Sequence, residues 1–515
     1  MPAPLRRVAA AVAFAYLVFA LSYGLASFPG LHGDEAWVGL FALRLRQDGL
    51  FTPHAINWYT GSLYGWLVSR IFGLLEPGIF SLRVLGVAAN AGAALIVATH
   101  FARRLGSVQS GAWLLMLAAN PLFLLKSRVA WDFYALQNLL VAGLIVCLSD
   151  FLQRRRFTPG RVLGFLTVIQ LGVQNHFIFA SVPLSLWVLV AFHLARDRDW
   201  ELLPLFHIAT LSLAITVVFV VAKPALGVAA WQAHRGLALG AFALLPLSAA
   251  FAFAMSSTRW DGLTRSAVDR VRRSRLLSHI LGGILVSGLA LFGALHLVAL
   301  VQIGSGVVIF ERLASWQAPL WLSVLLHLWS LFLLGVFLLN ARRLLQGPTD
   351  MTPYERLLVL WPLAYMAVFT AFRFTAQIRH YAILSFLVTA ALSVLLPRIV
   401  ASRRLFLVPA GLMVLALHVC LWRVLLLPQD RRPLELRLGW TTGTSAHFQR
   451  LEPLYSVLST EGICDVRAAD FFLDQPLRFY LATHPATCSP ARTLAVDYCP
   501  NCSGPPFFSW RVIER

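Results

Sequence analysis

Two carboxylates stand side by side at Asp34 and Glu35, inside the stretch Phe28-Pro29-Gly30-Leu31-His32-Gly33-Asp34-Glu35-Ala36-Trp37 that follows the first long apolar run. An ionised carboxylate is costly to carry into hydrocarbon, so a pair at this position is held in the aqueous interface as a helix cap or kept for proton transfer. Ionisable residues recur in other segments that flank apolar runs: Lys126, Arg128 and Asp132, then Asn175 and His176, then Glu311 and Arg312, then Arg373, Arg379, His380 and Tyr381. Arginines and a lysine brought to one mouth would hold an anion, a phosphate above all, through charge-assisted hydrogen bonds.

Each group has a plainer reading beside the chemical one. Asp34 and Glu35 would serve as an N-cap, a contribution of about 1 kcal/mol. Asp132 would cap a helix starting at Phe133, and Arg379 with His380 would anchor a helix end among lipid headgroups. Asn175 and His176 read as a polar turn between two short helices. No metal is predicted; if a divalent ion assists, His32, Glu35 and His176 are the candidate ligands, with Asp34 beside them. No Gly-rich phosphate loop stands out, so no nucleotide cofactor is expected.

The elements that would position these residues follow from composition. A chain of 515 residues with 58% hydrophobic and 13% charged residues, and a mean hydropathy of +0.72, is too apolar for a soluble domain and reads as an all-α polytopic membrane protein. Its formal charge of +20 is spread as short arginine clusters between apolar runs. That pattern encodes topology and does not form a nucleic-acid surface.

The first span is Val8–Phe28, a retained anchor behind Arg6 and Arg7, which puts the N-terminus in the cytoplasm and Asp34 and Glu35 outside. Residues 34–49 are amphipathic and predict a helix lying on the outer leaflet, with a second short segment at Ser62–Leu75. Further runs follow near Ser81–His100, Gln109–Leu125, Phe133–Phe151, Val162–Val173, Phe177–His193, Leu202–Ala222, Leu237–Met255, Ile280–Gln302, Pro319–Asn340, Leu357–Phe372, Tyr381–Pro397 and Leu405–Leu427. The total is about thirteen, counted in windows of roughly 20 apolar residues. An odd number leaves the tail outside.

The membrane domain is thus expected over residues 1–427, with its first outer loop at 29–80, and a soluble extracytoplasmic domain over 428–515. In that tail Ala446–Thr460 and Gln475–Leu481 read as helices and Cys464–Phe471 and Thr493–Cys499 as strands, a small α/β layer. Cys464, Cys488, Cys499 and Cys502 all lie there and predict two disulfides, with three pairings open. A zinc site or a redox Cys499-x-x-Cys502 is the lesser alternative.

Several of these segments resemble the type-C glycosyltransferases, in the branch that holds the protein O-mannosyltransferases and the lipid A aminoarabinose transferase. The resemblance rests on Gly33-Asp34-Glu35-Ala36-Trp37, on Asp48-Gly49-Leu50-Phe51-Thr52-Pro53, and on Leu63-Tyr64-Gly65-Trp66-Leu67 with Ser81-Leu82-Arg83. Ser127-Arg128-Val129-Ala130-Trp131-Asp132 is similar to that branch's second acidic motif, and Arg379-His380-Tyr381-Ala382-Ile383-Leu384 to its late motif. The chain departs from the branch in lacking its Lys-Pro-Pro, with Tyr59-Thr60-Gly61-Ser62 there instead, and in carrying Trp131 where a proline precedes the Asp.

The resemblance implies an inverting transfer of a sugar from a polyprenyl-phosphate donor to a hydroxyl of a lipid, glycan or protein acceptor outside the membrane. Asp34 would be the general base beside Glu35. Arg379, His380, Tyr381, Arg373, Arg128, Lys126 and Asp132 would bind donor phosphate or substrate. The reading from another class is a transporter or lipid flippase whose buried ionisable groups line a pathway. A third is an assembly subunit whose tail does the work.

Overall fold

The computed structural model describes residues 3–48, 60–126, 128–130, 133–154, 157–197, 199–225, 235–273, 296–314, 316–346, 350–371, 378–402, 407–427, 450–468, 471–484, 489–499 and 508–514. Helices α1 (Ala3–Ser22), α2 (Gly33–Asp48), α3 (Leu63–Leu74), α4 (Ile79–Arg104) and α5 (Ser107–Ala118) come first. A π-turn at Leu122–Lys126 leads to α6 (Tyr134–Arg154), α7 (Pro159–Asn175), α8 (Ser181–Asp197), α9 (Leu203–Ala225) and α10 (Arg235–Arg273). Then follow α11 (His296–Ser305), α12 (Val307–Ala314), α13 (Leu320–Gln346), α14 (Pro353–Ala371), α15 (Ala382–Ser402) and α16 (Leu407–Leu426).

Six of the helical stretches, Ile79–Arg104, Tyr134–Gln153, Phe177–Ala195, Trp200–Val218, Leu320–Gln346 and Ala382–Ile399, are long and apolar enough to cross a membrane. The chain is an integral membrane protein. Shorter apolar helices, Val8–Ser22 and Gly411–Leu426 among them, pack beside these. Among the described residues the expected count of about thirteen spans is therefore not reached by length and composition. Several apolar runs are shortened where they bend: α1 stops at Ser22, and α5 gives way at Asn120 to the π-turn. Most of the predicted ninth run, Ile280–Gln302, lies outside the described residues.

Local chemistry explains the joints. Arg103 and Arg104 close α4 where the helix dipole favours cations, and Gly106 turns into α5 at φ 115°, a left-handed value that suits glycine. At the same end of the bundle Arg104 and Arg161 both reach Asp150, at 3.4 and 3.7 Å, and Arg398 meets Glu355 at 2.7 Å. Leucine, valine and phenylalanine from α1 and from α4 through α16 form one continuous core.

The tail comprises α17 (Glu452–Thr460), β1 (Ile463–Ala468), α18 (Phe471–Thr483), β2 (Ser489–Tyr498) and β3 (Phe508–Glu514). β1 pairs parallel with β2, Val466 opposite Leu494, and β2 antiparallel with β3, Leu494 opposite Val512. Leu454, Leu458, Leu473 and Leu477 of the two helices join Ile463, Val466, Leu494, Val496 and Phe508 in a small core. The expected α/β layer gains a third strand, β3, for which the alternation from Phe508 to Val512 was an available but unused signal. Residues 446–449 of the predicted first helix lie outside the described residues. In the parallel register Cys464 sits at the start of β1 and Cys499 beyond the end of β2, so these two do not bridge to each other. Cys488 and Cys502 lie outside the described residues.

Helix α2 departs from the expected surface position. Instead of lying on a leaflet with one free face, it is enclosed between α3 and the tail's α18, with Ala36, Val38, Ala42 and Leu45 buried. Phe479 of α18 belongs to the hydrophobic cluster built from Leu31, Ala36, Tyr64, Val68, Phe72, Leu82 and Phe133. At Gly39 a β-carbon would come within 2.4 Å of the Phe479 ring, so only glycine lets α18 sit this close. The tail packs on α2 and its neighbours and does not stand apart from them.

Candidate active site

The two adjacent carboxylates have opposite fates. Glu35 is fully buried and bidentate with Arg83 of α4: Arg83 Nε donates to Oε1 at 2.6 Å and Nη2 to Oε2 at 2.8 Å. Oε1 also accepts the Ala130 amide at 2.9 Å and Oε2 the His32 amide at 3.4 Å. The rest of the Arg83 fork donates to the carbonyls of Leu25, Pro29 and Gly30. A buried ion pair is tolerated only when its remaining hydrogen-bonding capacity is met, and here the backbone groups of five residues meet it. Glu35 is spent on holding the loop that follows α1, the start of α2, α4 and the segment before α6 together. It is not placed to move a proton.

Asp34, one residue earlier on the first turn of α2, keeps 31% of its side chain exposed. The Asp34 amide donates to His32 Nδ1 at 3.2 Å, so His32 caps the helix with an unprotonated Nδ1. The imidazole is buried, 3.8 Å from the Asp34 carboxylate, with the Phe472 ring of the tail edge-on at 5.0 Å. Trp37 meets Phe471 in the same way at 5.8 Å. Above the ion pair, Tyr455 of α17 stacks on Tyr480 at 4.4 Å, and Tyr480 on His484 at 4.3 Å. Burial raises the Tyr455 hydroxyl pKa, nearby Glu452 raises it further, and the charge of Arg83 acts in the other direction.

The cationic candidates divide as well. Arg128 is fully buried and turned inward, Nη1 to the Ala20 carbonyl at 3.4 Å and Nη2 to that of Tyr23, with its guanidinium 5.9 Å from the Phe28 ring. It satisfies carbonyls at the end of α1, where the helix dipole favours a cation, and is not presented to a phosphate. Desolvation, and then the charge of Arg83, lower its pKa to about 9, which leaves it ionised at neutral pH. Tyr381 is fully buried, its hydroxyl 2.8 Å from His296 Nδ1 of α11. It is a post between α11 and the turn at Ile378–Tyr381, not a surface ligand. His380 is half-buried on that turn. Lys126 ends the π-turn; π-turns gather at functional sites. Asp132, Arg373 and the side chain of Arg379 lie outside the described residues.

Asn175 and His176 form the polar turn that the sequence predicts, with a further use. Thr60 bridges His176, and the Gly61 amide donates to the Asn175 carbonyl at 3.0 Å. Asn175 Nδ2 donates to the Phe133 carbonyl and His176 Nδ1 accepts from Ile178. A β-carbon at Gly61 would fall 1.4 Å from the Gln174 carbonyl oxygen. The segment leading into α3 is therefore fastened to the break between α7 and α8. Among the described residues no three His, Cys, Asp or Glu side chains converge to hold a metal ion; Glu35 is engaged by Arg83, and His32 and His176 each use Nδ1 to cap a turn.

Sequence reasoning singled out Arg83 within a motif without giving it a partner, and missed His296, Phe472 and Phe479. A lone arginine two residues after Ser81 at the head of an apolar run was the available signal for Arg83. Nothing in the sequence links α11 or α18 to this site.

No protein-family model matches the chain, and no curated protein matches it. Solved structures do. ArnT from Cupriavidus metallidurans bound to undecaprenyl phosphate is similar at 13% identity and a TM-score of 0.41, over 95% of this chain and 93% of that one. The same enzyme in the apo state gives 14% and 0.41 over 95% and 92%. The archaeal oligosaccharyltransferase AglB from Archaeoglobus fulgidus, in complex with an inhibitory peptide and a dolichol-phosphate, gives 13% and 0.51, over 94% of this chain and 64% of that one. The likeness to AglB shows a shared fold, that of the type-C glycosyltransferases. At these identities it shows the fold alone.

Proposed function

We propose that the chain is an inverting glycosyltransferase that moves a sugar from a polyprenyl-phosphate donor to an acceptor hydroxyl on the extracytoplasmic side, with Asp34 as general base. The N-terminus is cytoplasmic and the tail extracytoplasmic in this reading. The observation that carries it is the division of labour between neighbours: Glu35 is locked by Arg83, while Asp34 on the same helical turn stays partly exposed at the helix mouth. AglB, whose fold the chain shares, is solved with a dolichol-phosphate, a lipid phosphate of the class proposed for the donor.

In the reaction the acceptor oxygen attacks the anomeric carbon and Asp34 takes its proton. The bond from that carbon to the phosphate oxygen breaks with its electron pair going to the phosphate. General-base help of this kind is worth about 10²–10⁴ in rate. Lys126, His380, Arg379 and Arg373 are the groups assigned to the departing phosphate, with Asp132, close to Lys126 in sequence, assigned to the substrate; Glu35, Arg128 and Tyr381 take positioning roles.

The test compares polyprenyl-phosphate sugars and glycosylated products by mass spectrometry in membranes carrying the wild-type chain or Asp34→Asn at matched folded protein. Accumulation of one lipid-linked sugar with loss of one product supports the reading and identifies donor and acceptor. Unchanged lipids and products with a folded variant reduce Asp34 to a helix cap.

We further propose that the tail is cross-linked by two disulfides. Neither Cys464 nor Cys499 stands as a free thiol, unlike Cys147 and Cys420. With the 464 to 499 bridge excluded by register, Cys464 pairs with Cys488 or Cys502. Cys488 precedes Ser489, which lies opposite Ile463, and this favours the first pairing. Peptide mapping without reduction distinguishes the two.

A further inference from the structure

Below the outer face the bundle holds a second polar cluster that the transfer as described leaves unused. Asn138 of α6 donates through Nδ2 to Asn90 Oδ1 of α4 at 3.0 Å, with both residues more than nine-tenths buried. The other half of each amide, Asn90 Nδ2 and Asn138 Oδ1, has no hydrogen-bond partner. Both residues line a cavity with Asn120, Phe123, Tyr134 and Ser385. On its far wall Asn120 Nδ2 donates to Ser385 Oγ at 2.9 Å and to Thr389 Oγ1 at 3.2 Å.

An amide group buried without a partner is costly, and two in one small space call for an occupant. One spare donor beside one spare acceptor matches a group that is both, a water in the empty site or a hydroxyl that displaces it. Turning both amides over leaves the same complement. None of the residues lining the cavity is charged, so an ammonium or carboxylate would find no counter-charge there. The space open to water centres is about 20 Å³, enough for one hydroxyl on a short arm and too little for a sugar ring.

Its place in the fold is equally specific. Tyr134 and Ser385 stand in the first turns of α6 and α15, the helices that follow Asp132 and Arg379-His380-Tyr381 in sequence. Asn90 lies on α4 beyond Arg83, deeper by about 10 Å at the helical rise. The cavity thus lies about 10 Å from the ion pair that positions Asp34, a distance spanned by an acceptor oxygen and a donor sugar placed in line.

We propose that this cavity receives a neutral hydroxyl of the donor sugar, carried on a hydroxymethyl arm, with Asn90 donating to it and Asn138 accepting from it. The inference rests on the transferase reading above and narrows its donor to a neutral hexose type. A pentose lacks the arm, and an amino group at that position would bring an unpaired charge.

The experiment measures binding of three lipids to the full-length protein in detergent: bare undecaprenyl phosphate, its hexose form and its pentose form. Wild-type protein is expected to prefer the hexose form over the pentose form by about tenfold or more. The double variant Asn90→Leu/Asn138→Leu, which removes both partners together and fills the space, is expected to lose that preference and to keep its affinity for the bare carrier. Equal wild-type affinity for the two sugar forms overturns the proposal without need of a variant. A folded double variant that still prefers the hexose form also overturns it, the cavity then holding water only. If wild type binds none of the three lipids, the transferase reading itself has failed, and this inference with it; binding of the bare carrier with no hexose preference sinks this inference alone.

Discussion

Two buried polar clusters, the ion pair of Glu35 with Arg83 and the amide pair of Asn90 with Asn138, differ in their spare hydrogen-bonding capacity. Around Glu35 and Arg83 both carboxylate oxygens and all three donor nitrogens of the fork are engaged, by side chain and by the backbone of five residues. Around Asn90 and Asn138 a donor and an acceptor are left over. A saturated network can only hold its elements in place, whereas an unsaturated one keeps a donor and an acceptor that a further group can meet. Asp34 stands between the two, fixed through its backbone by His32 and partly open through its side chain.

The comparison breaks first at Arg83. Replacing it by Ala leaves Glu35 buried without its partner, a change that costs about 3–5 kcal/mol in other proteins. Little folded protein is expected, read by size exclusion and thermal unfolding in detergent; a wild-type melting curve would show that the network does not hold the loop. Asp34→Asn should do the reverse, melting as wild type does while product formation falls by about 10²–10⁴. A variant that instead unfolds would place Asp34 with Glu35 on the structural side.

A smaller effect is expected at the tail. Gly39→Leu drives a side chain into Phe479 and should weaken docking of α18 by about 1–3 kcal/mol. Faster cleavage of the tail by protease, with the membrane helices intact, is the readout; unchanged cleavage would mean that the tail does not depend on α2. The smallest change is His32→Ala, which removes a cap worth about 1 kcal/mol and leaves Glu35 and Arg83 paired. It should lower the melting point slightly and reduce activity less than Asp34→Asn does. A loss as large as that of Asp34→Asn would move His32 from the cap into the chemistry.

Much of the fold was legible in the chain. Hydropathy marked the apolar helices because burial in lipid demands it of every turn, and the change in composition after Pro428 marked the tail. Helix α2 was legible as an element, although its apolar residues are not confined to one side; its enclosure was not read, because α18 lies far along the chain and its apolar face matches any apolar surface. The number of true crossings escaped for a related reason. Bends and short helices depend on neighbours and not on local pattern.

At the site, sequence alone determined that Asp34 and Glu35 stand together on the first turn of a helix at the mouth of a membrane domain. Residue spacing and the exclusion of charge from hydrocarbon settle that much. Only the tertiary structure separated the two carboxylates, gave Glu35 to Arg83, turned Arg128 towards the end of α1 and joined Tyr381 to His296. The reason is that neighbours on a helix point about 100° apart; what each one meets is decided by elements packed against it from elsewhere in the chain.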